Sequence, residues 1–241
     1  MSVLKLKNSK FSYIRKGKVG KPKMLMLHPF LSSYEYYLQT MDYLKEDFDM
    51  IALDIPGFGR SRLLRDEEYS LGNIADSIIT FCNKLHFKPF HIVGSSLGGM
   101  ISIIITANYS KFVKKAVFHA TPVRENCINQ SYLSNILEIT SKKREIIHGI
   151  QKNIKKVDPE IARFFISTIM QEYEDIEKRT DALYIGFKHI DFECAAEILR
   201  GIKNINLKLH LKNIKKHVLV IIGDKDITVF FKCKREMHEL L

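Results

Sequence analysis

No stretch of this sequence approaches the roughly 20 consecutive apolar residues that span a bilayer, so no membrane-spanning helix is expected. The first residues also lack the apolar core of a secretory leader, because Val3, Leu4 and Leu6 are interleaved with lysines. A cytoplasmic protein is therefore the expectation. Cysteine is scarce: Cys82, Cys127, Cys194 and Cys233 are widely scattered and form no Cys-x-x-Cys pair. That spacing implies neither a zinc site nor a disulfide framework, and free, mostly buried thiols are expected. No metal and no other cofactor is implied. Internal repeats, low-complexity tracts and nucleic-acid-binding motifs are missing as well, which leaves an ordinary globular chain.

What is present fits one large domain. A chain of 241 residues with 46% hydrophobic content can bury a substantial core. The formal net charge of +11 is the one unusual global number. Its plain reading is a lysine-rich solvated surface, with local clusters at 142–144 and 152–156. The alternative reading is an anionic partner, such as an acyl group on an acidic carrier. Nucleic acid is not expected as a partner.

Continuous apolar runs at 23–28, 50–54, 90–94, 115–119 and 218–223 predict strands covered on both faces, as in a parallel sheet. Segments 3–7 and 11–15 predict an antiparallel ribbon ahead of them. Ser70 can cap a helix in which Ile74, Ile78, Phe81, Cys82 and Leu85 recur at helical spacing. A second helix is expected from Leu97 to about Asn108. Alternating strands and helices predict an α/β fold: a doubly wound, mostly parallel sheet with helices on both faces. From 122 to 210 the strand signal disappears, and Asp158-Pro159 is a good helix start. A helical lid inserted at 122–210 into a core of 1–121 and 211–241 is expected.

The turn Gly94-Ser95-Ser96-Leu97-Gly98 comes straight after a predicted strand and straight before a predicted helix. In that context Gly-x-Ser-x-Gly raises Ser96 above the sheet as a nucleophile. The helix N-terminus favours a developing oxyanion, and Leu97 N–H is its natural donor. A second donor is expected from His28-Pro29-Phe30, and it falls to Phe30 because proline has no N–H. His28 reads as structural, and Ser95 as bonding locally. Gly57-x-Gly59 in Asp54-Ile55-Pro56-Gly57-Phe58-Gly59-Arg60-Ser61 fails as a dinucleotide loop, because Arg62 stands where the third glycine belongs.

The His-x-Phe turn, the Asp-x-Pro-Gly-x-Gly-x-Ser segment and Gly-x-Ser-x-Gly-Gly, in this order, resemble the α/β-hydrolase superfamily. The similarity is greatest to its small esterase, C–C hydrolase and haloperoxidase-like members, and it runs from about residue 10 to 226. The motifs are specific for the fold and unspecific for substrate. Pro29 departs from the glycine usual in the family. The absence of tryptophan argues against haloalkane dehalogenases, which hold halide with indole N–H groups. The resemblance implies an acid in a Gly-x-x-Asp turn, which places that role on Asp226 and leaves Asp224 as a turn former.

The family's general-base histidine follows one further helix and strand, which need roughly 20–25 residues. Only residues 227–241 follow Asp226, and they read as a single helix from Val229 to Leu241. The last strand and helix are therefore expected to be missing, with the chain either truncated or naturally without its base. His238 would lie far below the site along that helix. His119 ends the strand beside the nucleophile strand, where it could line the pocket or stand in as base. The strand at 218–222 would become an exposed edge, and a homodimer through it is the resulting hypothesis. The sequence thus predicts a serine hydrolase acting on a small-molecule ester, thioester or related acyl bond. The alternative is a catalytically impaired ligand-binding or interaction protein on the same fold.

Overall fold

The computed structural model describes residues 1–64, 68–129, 189–224, 226 and 229–241. The apolar runs form β3 (Lys23–Leu27), β4 (Asp49–Leu53), β6 (Phe90–Ser95), β7 (Val113–His119) and β8 (His217–Ile221). They lie parallel in the order β4-β3-β6-β7-β8. The N-terminal ribbon, β1 (Ser2–Lys5) and β2 (Ser9–Gly17), joins antiparallel to β4 at the other end. A two-residue strand, β5 (Arg62–Leu63), pairs with Ser9 and Lys10. It is too short to leave a periodic signal.

The continuous apolar character of β3 and β4 has a direct cause. Alternate residues feed two different cores. Leu25, Leu27, Ile51 and Leu53 enter the large cluster on one side of the sheet. Met24, Met26, Met50 and Ala52 enter a smaller one with Tyr34, Tyr37 and Met41. The smaller cluster is closed by a 3-10 turn (Tyr34–Tyr37) and α1 (Leu38–Leu44). The larger one is closed by α2 (Leu71–Lys84) and α3 (Leu97–Asn108). Ser70 caps α2, its Oγ accepting from Asn73 N–H at 3.2 Å. The doubly wound sheet is thus present with helices on both faces.

Within the span expected as a lid, 130–188 lie outside the described residues, and so does the helix start at Asp158-Pro159. The described remainder carries α4 (Phe192–Lys203), capped by Asp191, and α5 (Lys208–Lys212). The latter crosses the expected boundary at 210, and its Leu211 is buried in the main core. The C-terminal helix, α6 (Phe231–Leu240), starts later than expected, because Val229 pairs with Ile128 in a β-bridge. Among the described residues β8 ends the sheet, with Leu219 57% and Ile221 44% exposed. No helix of the described residues is long and apolar enough to cross a membrane.

The expectation of free thiols needs correction. Cys127 and Cys233 form a disulfide across 106 residues of sequence, whereas Cys82 and Cys194 are free. Their partnership is set by tertiary contact: Phe230 N–H donates to Cys127 O at 2.9 Å beside the Ile128–Val229 bridge. Cysteine spacing along the chain holds no trace of that contact.

Candidate active site

The ends of β3, β6, β7 and β8 all face one rim, and the candidate residues lie on it. Ser96 joins β6 to α3 with φ 49° and ψ −110°, a conformation that L side chains adopt only when the surroundings impose it. Two contacts impose it. Ser96 N–H donates to His119 O at 2.9 Å, and Met100 N–H donates to Ser96 O at 3.0 Å. Gly98 permits the turn to sit where it does. A Cβ there would overlap the carbonyl oxygens of Leu27 and His28, so the first turn of α3 lies directly against the end of β3. Ser96 is half-buried, and its hydroxyl has no hydrogen-bond partner among the described residues.

Leu97 begins α3 and is fully buried. Its N–H belongs to the first helical turn, where no preceding carbonyl is available. The packing of Gly98 on Leu27 and His28 brings this turn beside the loop that carries Phe30. The Phe30 ring is half-buried and packs edge-on against Phe58, with centroids 5.2 Å apart. The next residue, Leu31, has φ 58°, so the loop turns sharply there. Both oxyanion candidates are thus on adjoining segments.

Asp226 lies five residues beyond the end of β8 and is half-buried, with Oδ1 accepting from Val229 N–H at 3.0 Å. Asp224 is exposed. His119 ends β7 opposite Ser95 in register, and its Nδ1 lies 2.9 Å from Ser95 Oγ. Tyr36 OH lies 3.5 Å from the same Oγ. Ser95 is therefore buried in a Tyr36–Ser95–His119 chain of polar groups. Tyr36 has no sequence signal that would attach it to the site. His238 is exposed on α6.

The model of the alpha/beta hydrolase fold family matches residues 22–173. The chain belongs to that family. It is 32% identical over 102 residues to human monoacylglycerol lipase ABHD6, which covers 41% of this chain and 30% of that protein. It is 27% identical over 197 residues to the Arabidopsis thaliana protein named "Probable lysophospholipase BODYGUARD 4", covering 80% of this chain and 42% of that one. The chain thus spans less than half the length of these curated relatives. Among solved structures, an enol-lactonase from Burkholderia xenovorans LB400 superposes with a TM-score of 0.77 at 15% identity, over 99% of this chain and 87% of that one. A hydrolase from Pseudomonas aeruginosa PA01 superposes at 0.76 and 15%, over 98% and 84%. Both show the same fold.

This hydrolase-fold chain holds the loop that carries Phe30 with two buried titratable groups. His28 is fully buried; Nδ1 bonds Pro29 O at 2.7 Å and Nε2 accepts from Ile55 N–H at 2.9 Å. Those partners fix a neutral ring protonated at Nδ1. Asp54, the first residue of the Asp-x-Pro-Gly segment, accepts from Tyr34 N–H and Arg60 N–H, each at 2.9 Å. Gly59 leaves room for that carboxylate, since a Cβ there would collide with it. The segment was legible as a motif, but the burial of its acid was not.

Burial lowers His28 to about 4 and raises Asp54 to about 6. The two act on stability in opposite directions. A depressed histidine gives stability present above its unfolded value near 6.5 and lost as pH falls towards 4. A raised carboxyl gives stability present in acid and lost as pH rises through about 6. Between pH 7 and pH 5 each contributes roughly 1–2 kcal/mol, with opposite sign. Asp54→Asn is therefore expected to make the protein more acid-sensitive than the parent over that range, and His28→Gln less so. Urea midpoints at pH 7 and pH 5 check this; equal pH slopes in parent and both variants would refute it.

Proposed function

We propose that this chain is a serine hydrolase cleaving an ester, thioester or related acyl bond of a small-molecule substrate. The observation that carries the reading is the forced backbone of Ser96 between β6 and α3, with its half-buried hydroxyl at a helix N-terminus. Ser96 Oγ attacks the acyl carbonyl, and the N–H groups of Leu97 and Phe30 hold the oxyanion of the tetrahedral intermediate. Collapse of that intermediate expels the alcohol or thiol, and water then releases the acid. Asp226 orients the general-base histidine of such a triad, the member that the sequence reading does not find among these 241 residues, which takes the serine proton and gives it to the leaving group. The names of the relatives, a monoacylglycerol lipase and a lysophospholipase, favour fatty-acyl glycerol esters as substrates. The charge of +11 suits an acyl group on an anionic carrier, in which case turnover falls as salt rises. The exposed β8 edge suits a homodimer.

A fluorophosphonate probe tests the nucleophile. Covalent label on the Ser96 peptide, together with hydrolysis of a medium-chain acyl ester, is the expected result. A folded protein that takes no label at Ser96 would overturn the reading. A second reading has one observation in its favour: His119, the histidine beside the turn, bonds Ser95 Oγ through Nδ1. In that reading the chain binds acyl ligands without turnover, and it predicts saturable binding of a fatty-acyl ester with no acid released.

A further inference from the structure

Two cysteines that no part of the proposed chemistry uses are joined where the C-terminal segment meets the rest of the fold. Cys127 ends a 3-10 turn (Glu125–Cys127), and Cys233 lies in the first turn of α6. Both are essentially buried, at 0% and 1% exposed. Around the disulfide the two segments share the Ile128–Val229 bridge and the hydrogen bond from Phe230 N–H to Cys127 O. Val229 N–H in turn donates to Asp226 Oδ1. A short covalent and hydrogen-bonded path therefore runs from Cys127 through Cys233, Phe230 and Val229 to the candidate acid.

We propose that Cys127 and Cys233 form a reversible oxidation site whose disulfide state holds the Asp226 turn against the body of the domain. Formation is a two-electron oxidation by a disulfide oxidant: two protein thiols and one oxidised glutathione give the protein disulfide and two reduced glutathiones. A dithiol reductant runs the reverse, with both protons returned to the protein sulfurs. In a reducing compartment the pair rests as thiols and the turn is held by noncovalent contacts alone; in an oxidising one the disulfide persists. Those contacts include two ion pairs and the packing of Met237 in the main core. Glu236 Oε2 accepts from Arg124 Nη2 at 2.8 Å and Oε1 accepts from Lys208 Nζ at 2.6 Å. Reduction therefore loosens α6 without releasing it. The same two cations argue against a metal at Cys127, Cys233 and Glu236, which lie within ligating distance of one another, because they already neutralise the carboxylate.

The effect on catalysis rests on the Asp226 assignment; the effect on structure does not. The test is amide hydrogen exchange of the 241-residue protein after treatment with oxidised glutathione or with dithiothreitol. Oxidation is expected to yield a linked Cys127–Cys233 peptide. Reduction is expected to speed exchange over 229–240 by about tenfold while α3 stays protected. Cys233→Ser and Cys127→Ser should each exchange at the reduced rate under both treatments. Equal exchange over 229–240 in the two states, or four titratable thiols after oxidation, would overturn the proposal. Exchange that switches in a protein whose Ser96 never takes the fluorophosphonate label would uphold the oxidation site and remove only the catalytic reading.

Discussion

Ser96→Gly is expected to destroy activity and to stabilise the protein. Loss of the hydroxyl removes the proposed nucleophile, so probe labelling and any ester hydrolysis should fall by at least about a thousandfold. The backbone argument runs the other way. At φ 49° and ψ −110° a serine carries strain on the order of 1–3 kcal/mol, which glycine does not feel. Glycine loses more conformational freedom on folding, which offsets roughly 0.5–1 kcal/mol of that relief. A net gain of about 1 kcal/mol remains. Ser96→Ala provides the comparison, because it loses the same hydroxyl but keeps a Cβ and so keeps the strain. Urea unfolding of the three proteins measures the difference. A glycine variant no more stable than the alanine variant would show that the turn is relaxed as it stands. A stability gain paired with lost chemistry is the pattern of a strained functional position, since strain at a site persists only when the rest of the fold can carry it.

The parts of this fold that could be read in the sequence are those whose cause is local or periodic. β3 and β4 were visible because each residue faces one of two cores, which leaves an unbroken apolar run. The boundaries of α2 were visible because Ser70 caps it. The Ser96 turn was visible because close approach of α3 to β3 demands small residues at fixed spacing. The parts that escaped depend on distant partners. The Cys127–Cys233 disulfide, the Tyr36–Ser95–His119 chain and the burial of Asp54 each join segments separated by a strand crossover or more. No residue in those pairs is unusual by type or spacing. Asp226 occupies an intermediate position. Its turn could be read from Gly223-Asp224-Lys225-Asp226, but the bond from Val229 N–H depends on how the chain continues after β8.

The same substitution at two helical glycines should have opposite effects, and the contrast separates packing from propensity. Intrinsic helix preference alone favours alanine over glycine by about 1 kcal/mol at either site. Gly201, near the end of α4, has no atom within 4 Å of the place its Cβ would occupy, so Gly201→Ala should gain roughly 0.5–1 kcal/mol. At Gly98 the new methyl meets the Leu27 carbonyl and the His28 oxygen. These are backbone atoms, and Leu27 ends a central strand paired on both sides with β4 and β6, so no side chain can swing away to make room. The first turn of α3 must lift from β3, which opens the core around Leu97 and Met100. A loss of about 3 kcal/mol or more is expected for Gly98→Ala. The Phe30 loop follows directly on Leu27 and His28, so any fraction that folds should also label with the probe more slowly. Denaturation midpoints for the two variants decide the matter. Destabilisation of similar size at both would mean that glycine flexibility in the helices, rather than contact between α3 and β3, governs these positions.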